Sequence, residues 1–258
     1  MLGKTHVAFG ALFWAGGAPL VGDQLGMSVG PTGMIGGLAI AAVASVLPDI
    51  DHPNALVTKG YIPGSGAFGW PARLLGQIIS VPPRIVGMLA RSVMGHRGGT
   101  HSIVFMLLWT FGALPVYALF AGLVAWLASG LLSVTPLGFD PGVVWEWEKE
   151  NLPAFMPLVM LAVFLGYLSH LVSDSLNQVP VPWFWPAKKK LFFLPKPFRI
   201  QVSSPGEWLV RMLVVLLLIV VAFGTIVRPV YEGLRDEASG RTSADVPALV
   251  QGPPPALR

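Results

Sequence analysis

The sequence has no cysteine and very little charge. Because cysteine is absent, disulfides and thiolate metal ligands are excluded, and any metal would be held by nitrogen and oxygen. Charged residues make up 12% of the 258 residues, against about 25% in an ordinary soluble domain. With 53% hydrophobic residues and a mean hydropathy of +0.66, the chain is too apolar for a soluble globule or for a disordered protein. The remaining class is an all-α polytopic membrane protein.

Five apolar stretches predict membrane helices. They cover residues 7–21, 29–47, 103–132, 155–171 and 209–227. The third stretch could be one long tilted helix, kinked at Pro115, or two tight passes. The first is short and follows Lys4, as a signal peptide would, but no convincing cleavage site comes after it, and we interpret it as a retained helix. Residues 81–94 are predicted to form an amphipathic, interfacial segment.

Loop charges predict the orientation of these helices. Segments 48–101 and 176–206 are basic, whereas segment 133–153 is acidic. The positive-inside rule places the first two in the cytoplasm and the third outside, so the long third stretch crosses once. The prediction is a multi-pass bacterial inner-membrane protein of about five helices, with a cytoplasmic N-terminus and basic cytoplasmic loops. Residues 1–228 would form one membrane-embedded domain, and residues 229–258 a flexible polar tail.

All five histidines and three of the seven aspartates fall at the predicted cytoplasmic face. They are His6, Asp49, Asp51, His52, His96, His101, His170 and Asp174. Ionisable residues near membrane spans are costly unless they function or pair. His170 and Asp174 lie four residues apart in a helical segment and so share one face, where imidazole and carboxylate suit zinc or manganese. The alternative for this pair is a hydrogen bond at the end of a helix.

Two further segments carry candidate site residues. Asp49 and Asp51 could bridge two ions, or one could hold an ion while the other orients a histidine, although the segment could also be a simple turn. Residues 96–102, HRGGTHS, could cap a helix through Thr100 or Ser102. A cap, however, requires neither two histidines nor a glycine pair. These glycines would let the backbone approach a ligand, and Arg97 would suit a phosphate.

The combined pattern resembles the YdjM-like family of LexA-regulated, membrane-bound metal-dependent hydrolases. The resemblance covers roughly residues 1–228. It rests on Thr5-His6 with Gly10, the LPDIDH segment ending at His52, the HRGGTHS segment, GYLSH ending at His170 with Asp174, and Phe184-Trp185-Pro186 before Lys188–Lys190 and Phe192. A more distant similarity is to the helical zinc-dependent phospholipase C and P1 nuclease group, through the pair His170 and Asp174. That group usually has a further histidine soon after the pair. This chain has none there, which favours one or two ions over three.

The resemblance implies metal-assisted hydrolysis with one or two divalent ions, zinc or manganese. The expected metal ligands are Asp49, His101, His170 and Asp174, with His6 and His96 next. Asp51 is expected to act as the base or as a bridging carboxylate, and Arg97 to clamp the substrate. Because the site would lie at the cytoplasmic interface beside basic loops, we expect a membrane lipid or other amphiphile with an anionic head group, cleaved at a phosphoester bond.

Three other functions are compatible with parts of the pattern. A non-enzymatic membrane component could hold the metal as a structural ion. A membrane-bound nuclease would need stacking aromatics among its basic residues, but Trp183 to Trp185 are better explained as an interfacial belt, which argues against nucleic acid as a partner. A transporter would place its charges near the midplane rather than at one face. The oligomeric state is left open by the sequence.

Overall fold

The structure is a computed structural model that describes residues 1–27, 29–52, 55, 81–95, 98–112, 141–187 and 189–238; for residues 81–84, 86, 141–154 and 236–238 it describes the backbone alone. The described chain is helical. Its helices are α1 (Gly3–Gln24), α2 (Pro31–Ala44), α3 (Val81–Met94), α4 (Ile103–Gly112), α5 (Pro141–Ser175), α6 (Pro205–Ala222) and α7 (Arg228–Ala238). Short 3₁₀ turns lie at Leu47–Asp51, Gly99–His101 and Lys196–Phe198, and the π-helical stretch Phe223–Val227 joins α6 to α7.

Extended structure in the described ranges is limited to two isolated bridges. Asn177 pairs with Ile200 in parallel, and Val181 pairs with Leu191 in antiparallel orientation. Both bridges lie in the segment between α5 and α6. They fold this basic segment back against the end of α5.

Helices α1, α2 and α5 form a three-helix bundle, and α6 packs on the outer side of α1. The bundle core contains the fully buried Trp14, whose indole N–H donates to the carbonyl oxygen of Met34 at 2.7 Å. The ring lies directly against Gly37, where a larger residue would collide with it. A polar indole hydrogen in an apolar core needs such a partner, so this bond fixes how α1 and α2 face each other.

The bundle helices approach most closely near one end. A Cβ atom added at Gly10 of α1 would lie 2.6 Å from the carbonyl oxygen of Ala41 and 2.7 Å from Cβ of Ser45. In α5, Gly166 lies equally tightly against the backbone of Ala41. Small residues at such positions are typical of membrane helices that pack closely. They bring together the start of α1 and the ends of α2 and α5.

Three helical segments in the described part of the chain are long and apolar enough to cross a membrane. They are Pro31–Asp51, Phe155–Ser175 and Pro205–Arg235. These segments match the second, fourth and fifth predicted spans. The first predicted span is a helix, α1, but is not among the three, and the third is described only over α4, with residues 113–132 outside the described ranges. The described residues therefore support three spans and do not establish five.

The structure gives the helix bounds at two predicted polar segments and agrees with a third. Residues 141–153 of the predicted acidic loop are helical, because α5 begins at Pro141, a residue whose fixed φ suits the first helical turn. Residues 229–238 of the predicted tail belong to α7, in which the exposed Arg228 and Glu232 pair at 2.8 Å over one turn; residues 239–258 lie outside the described part. Helix α3 has the bounds of the predicted interfacial segment.

The close approach at Gly10 gives a direct test of the packing. We expect Gly10→Ala to lower the free energy of unfolding by roughly 1–3 kcal/mol, because the new methyl group must push α1 away from α2. Gly36→Ala is the matched control, since a Cβ there meets no atom of the described residues within 4 Å. Thermal unfolding in detergent should separate the two variants, and equal melting temperatures would contradict the described packing.

Candidate metal centre

Five of the six predicted metal ligands lie together at the end of the bundle where α1 begins and α2 and α5 end. They are His6, Asp49, His101, His170 and Asp174. His6 is in the first turn of α1, Asp49 and His101 are on 3₁₀ turns, and the other two are in the last two turns of α5. Four of the five side chains are fully buried, and that of Asp49 is 19% exposed. The sixth, His96, lies outside the described residues.

The potential ligand atoms are within a few ångströms of one another. Nε2 of His101 is 3.3 Å from Nε2 of His170. Oδ1 of Asp49 is 3.5 Å and 3.8 Å from these two nitrogens, and Oδ2 of Asp174 is 3.7 Å and 3.6 Å from them. The His6 ring stacks on His170 at a centroid distance of 3.8 Å, which brings it into the same cluster.

Hydrogen bonds fix the tautomers of His170 and His101. Nδ1 of His170 is 2.6 Å from the carbonyl oxygen of Ser45, which can only accept, so Nδ1 carries the hydrogen. The Thr100 hydroxyl donates to Oδ2 of Asp51 at 3.2 Å and therefore accepts from Nδ1 of His101 at 3.1 Å. A neutral imidazole that donates from Nδ1 has its free lone pair on Nε2, which in both rings is the atom that faces the cluster.

The Ser173 hydroxyl fixes the tautomer of His6 in the same way. The Ser173 hydroxyl donates to the carbonyl oxygen of His170 at 3.0 Å, so it accepts from Nδ1 of His6 at 2.8 Å. Nε2 of His6 is buried and has no hydrogen-bond partner among the described residues; it lies 3.3 Å from Oδ1 of Asp174. Three imidazole lone pairs are thus directed into one small volume by acceptors outside it.

Asp174 is oriented by partners on the opposite side. Its Oδ1 accepts from the amino group of Met1 and from the side-chain amide of Asn177, both at 2.8 Å. This leaves Oδ2 as the oxygen that faces His101 and His170. A ligand held by such surrounding hydrogen bonds is a recurring feature of metal sites.

The donor set and its spacing suit a divalent metal ion. Imidazole nitrogens bind zinc at about 2.0–2.1 Å, so two of them in a tetrahedral site are about 3.3 Å apart, the separation found between His101 and His170. Two carboxylates and three lone pairs in a buried site also repel one another, and the Met1 amino group offsets only part of that charge. A bound cation would relieve the remaining repulsion.

The two predicted catalytic residues have different outcomes. The potential ligands form two overlapping groups, one of His6, Asp49 and His170 and one of His101, His170 and Asp174, and within each group the ligand atoms lie within 4.8 Å of one another. Asp51 is buried but belongs to neither ligand group, because it lies on the Nδ1 side of His101, behind Thr100. The contact therefore matches the alternative in which one aspartate orients a histidine. Arg97 lies outside the described residues. The capping explanation is right for Ser102, whose hydroxyl accepts from the backbone N–H of Phe105 at 3.3 Å at the start of α4.

Several supporting residues were not found by sequence reasoning. Ser45 and Ser173 fix histidine tautomers, and Tyr167 donates to the carbonyl oxygen of Thr100, which holds the His101 turn against α5. Serines and tyrosines at these spacings carry no signal of their own. The buried Glu207 could have been identified from the sequence, because Ser204 and Glu207 form the S-x-x-E pattern of a capping box.

Glu207 connects the start of α6 to the start of α1, which carries His6. Its Oε1 accepts from the Thr5 hydroxyl at 3.0 Å and from the backbone N–H of Leu2, and its Oε2 accepts from the backbone N–H of Ser203 at 2.7 Å. Because Leu2 and Thr5 belong to the start of α1, the carboxylate anchors the helical turn that carries His6.

The segment after α5 lies against the same end of the bundle. The Trp183 indole donates to the Ser175 hydroxyl at 2.7 Å, and the Trp183 carbonyl accepts from the backbone N–H of Ile103 at 2.9 Å, so this segment contacts both α5 and α4. The guanidinium of Arg199 stacks over the Phe192 ring at 3.4 Å. Lys189 and Lys190 are exposed on this segment and make that end of the protein basic.

Comparison with known proteins supports the family suggested by the motifs. The family described as YdjM inner membrane protein matches residues 1–229. Proteins named "Inner membrane protein YdjM" from Escherichia coli (strain K12) and Shigella flexneri are each 30% identical to this chain over 173 residues, which is 67% of this chain and 58% of each relative. The match thus spans a little over half the length of these relatives. No solved structure matches. The chain belongs to the YdjM family of inner membrane proteins.

Proposed function

We propose that this inner-membrane protein is a metal-dependent hydrolase that cleaves phosphoester bonds in a lipid or other amphiphilic substrate. The observation that carries the proposal is the convergence of three imidazole Nε2 atoms and two carboxylates, in which hydrogen bonds from outside the cluster orient the three rings and Asp174. A pair of groups at a helix end would not need this orientation. The proposal also accounts for the burial of so many ionisable groups in an otherwise apolar protein.

His101, His170, Asp49 and Asp174 would hold the ion, with His6 as a further ligand. The mixed nitrogen and oxygen donors suit zinc or manganese. When bound, such an ion lowers the pKa of a coordinated water and stabilises negative charge that develops on the substrate. Of the one or two ions predicted, the compact cluster favours one, because two-metal sites hold their ions about 3.5–4 Å apart and need ligands on both sides.

The surrounding residues would have distinct tasks. Asp51 acts through Thr100 as a positioning residue that holds His101 with Nε2 toward the cluster. Asp49 is the partly exposed member, so water and the substrate head group would approach from its side. Arg97 remains the predicted clamp for a phosphate.

A structural metal site is the second candidate, because four of the five side chains have no solvent exposure. A structural zinc site is closed by four protein ligands, whereas a catalytic site keeps a position for water or substrate. The exposure of Asp49 favours the catalytic alternative. The two alternatives differ in activity, and not in whether metal is bound.

We also propose a multi-pass topology in which this centre is cytoplasmic. The basic segment that follows α5 lies at the same end of the bundle as the cluster, and positive residues concentrate on the cytoplasmic side of inner-membrane proteins. With five crossings, residues 133–153 would be periplasmic.

We expect His170→Ala to lose its metal, because this residue contributes to both ligand groups. His52→Ala is the control: it also removes one imidazole, but from a residue in neither group. Elemental analysis of detergent-purified protein should find one divalent ion per wild-type chain and per His52→Ala chain, and little in His170→Ala. Equal metal contents in all three proteins would exclude the proposed ligand set.

The same proteins test catalysis. Wild type and His52→Ala should hydrolyse at least one member of a panel of lipid phosphoesters, and His170→Ala should not. A metal-loaded wild type that is inert on lipid, nucleotide and peptide panels would favour the structural alternative.

Reporter fusions test the topology. A reporter joined after Glu148 should give a periplasmic signal, and one joined after Lys189 a cytoplasmic signal, since an odd number of crossings would separate the N-terminal basic loop from the acidic segment. The reverse pair of signals would place the centre outside the cell.

A further inference from the structure

An apolar groove lies beside the candidate metal centre. It is a cavity of about 240 Å³ between α3, α4 and the 3₁₀ turn that carries Asp49. Among the described residues its walls include Ile50, Ala90, Thr100, Phe105, Trp109 and Gly112. Almost all of this lining is apolar, so the groove suits a hydrocarbon ligand and offers little to a polar one.

Two residues that line the groove lie on the 3₁₀ turns that carry Asp49 and His101. Ile50 lies between Asp49 and Asp51 on one 3₁₀ turn. Thr100 lines the groove and also contacts Asp51 and His101. A ligand in the groove would therefore lie against the two turns that position Asp49 and His101.

The surfaces that flank the groove have their large apolar residues on the outside. Helix α3 buries small residues, Gly87 and Ala90, while Met88, Leu89 and Val93 are 62–83% exposed. On α4, Leu108 and Phe111 are about 60% exposed, and Leu108 also lines the groove. In a soluble protein the large apolar residues would face inward. This inverted arrangement, with Arg91 and Ser92 also exposed on α3, fits helices whose outer faces contact lipid at the membrane interface, where a groove between them would be open to acyl chains.

We propose that this groove binds one hydrocarbon chain of the lipid substrate and thereby holds its phosphate head group at the metal centre. The proposal rests on the proposed hydrolase function for the head group, but the presence of the chain in the groove can be tested without it. The cavity is slightly smaller than the roughly 300–1,000 Å³ of typical small-molecule sites, which suits one chain segment.

Photo-crosslinking tests whether a lipid chain enters the groove. The probe is phosphatidic acid with a diazirine on one acyl chain, added to the full chain in phosphatidylcholine nanodiscs. We expect crosslinks on the peptide that contains Phe105 and Trp109. Gly112→Leu should remove them, because Gly112 lines the groove and a Cβ at this position meets no described atom within 4 Å, so the larger side chain would occupy that space. Gly36→Leu is the control, since Gly36 is equally open but lies on α2, away from the groove.

Crosslinks confined to the exposed face of α6, or crosslinks near Trp109 that survive in Gly112→Leu, would overturn the groove proposal. Hydrolysis provides the second arm. Gly112→Leu should reduce the turnover of a long-chain phosphoester roughly tenfold or more relative to a water-soluble short-chain analogue. The fit of an apolar group in its pocket changes the rate of an enzyme by about that factor. Its metal content should not change.

The two arms separate failure of the groove from failure of the function. Groove crosslinks on a protein that hydrolyses nothing would support the lipid site and count against the hydrolase. Hydrolysis that is unaffected by Gly112→Leu would support the hydrolase and overturn the groove.

Discussion

The structure of the centre depends on one constraint: each of its three buried imidazoles donates its Nδ1 hydrogen to an acceptor outside the cluster. The acceptors differ in kind, being a backbone carbonyl at Ser45, the hydroxyl of Thr100 and the hydroxyl of Ser173. Their effect is the same, because a neutral imidazole that donates from Nδ1 presents a lone pair at Nε2. Removal of any acceptor would allow the ring to turn or the tautomer to change, and the convergence of donors would be lost.

This constraint requires helices that approach closely at one end. The acceptor for His170 is the residue that ends α2, and the acceptor for His6 is on α5, so these two histidines are oriented by a neighbouring helix rather than by their own. Gly10 and Gly166 permit these distances, because each lies directly against the backbone of Ala41. The glycine-rich composition of the helices and the geometry of the centre are therefore parts of one arrangement.

The sequence predicted the membership of the centre better than its organisation. His170 and Asp174 are one helical turn apart, which is sufficient to place both on one face. Convergence of His6, Asp49 and His101 followed from their shared position at predicted helix ends. The supporting serines could not be predicted, since their role arises only when α1, α2 and α5 pack. The role of Asp51 likewise depends on a contact with Thr100 across 49 residues of sequence.

The helix boundaries show the same limit. Hydropathy located the apolar parts of α5 and α6, but it could not show that polar residues extend them, since α5 begins at Pro141 and α7 continues to Ala238. Polar sequences form helices where their propensity allows, whether or not they lie in the membrane. Hydropathy therefore predicts which segments cross the membrane more reliably than it predicts where each helix begins and ends.

The central claim is that the converging imidazoles hold a metal ion, and X-ray absorption spectroscopy at the edge of the bound metal tests it most directly. The account predicts a first shell of nitrogen and oxygen, with the outer-shell scattering typical of at least two imidazole rings. A spectrum with oxygen ligands alone and no imidazole scattering would contradict it, because the ion would then be bound somewhere other than His6, His101 and His170.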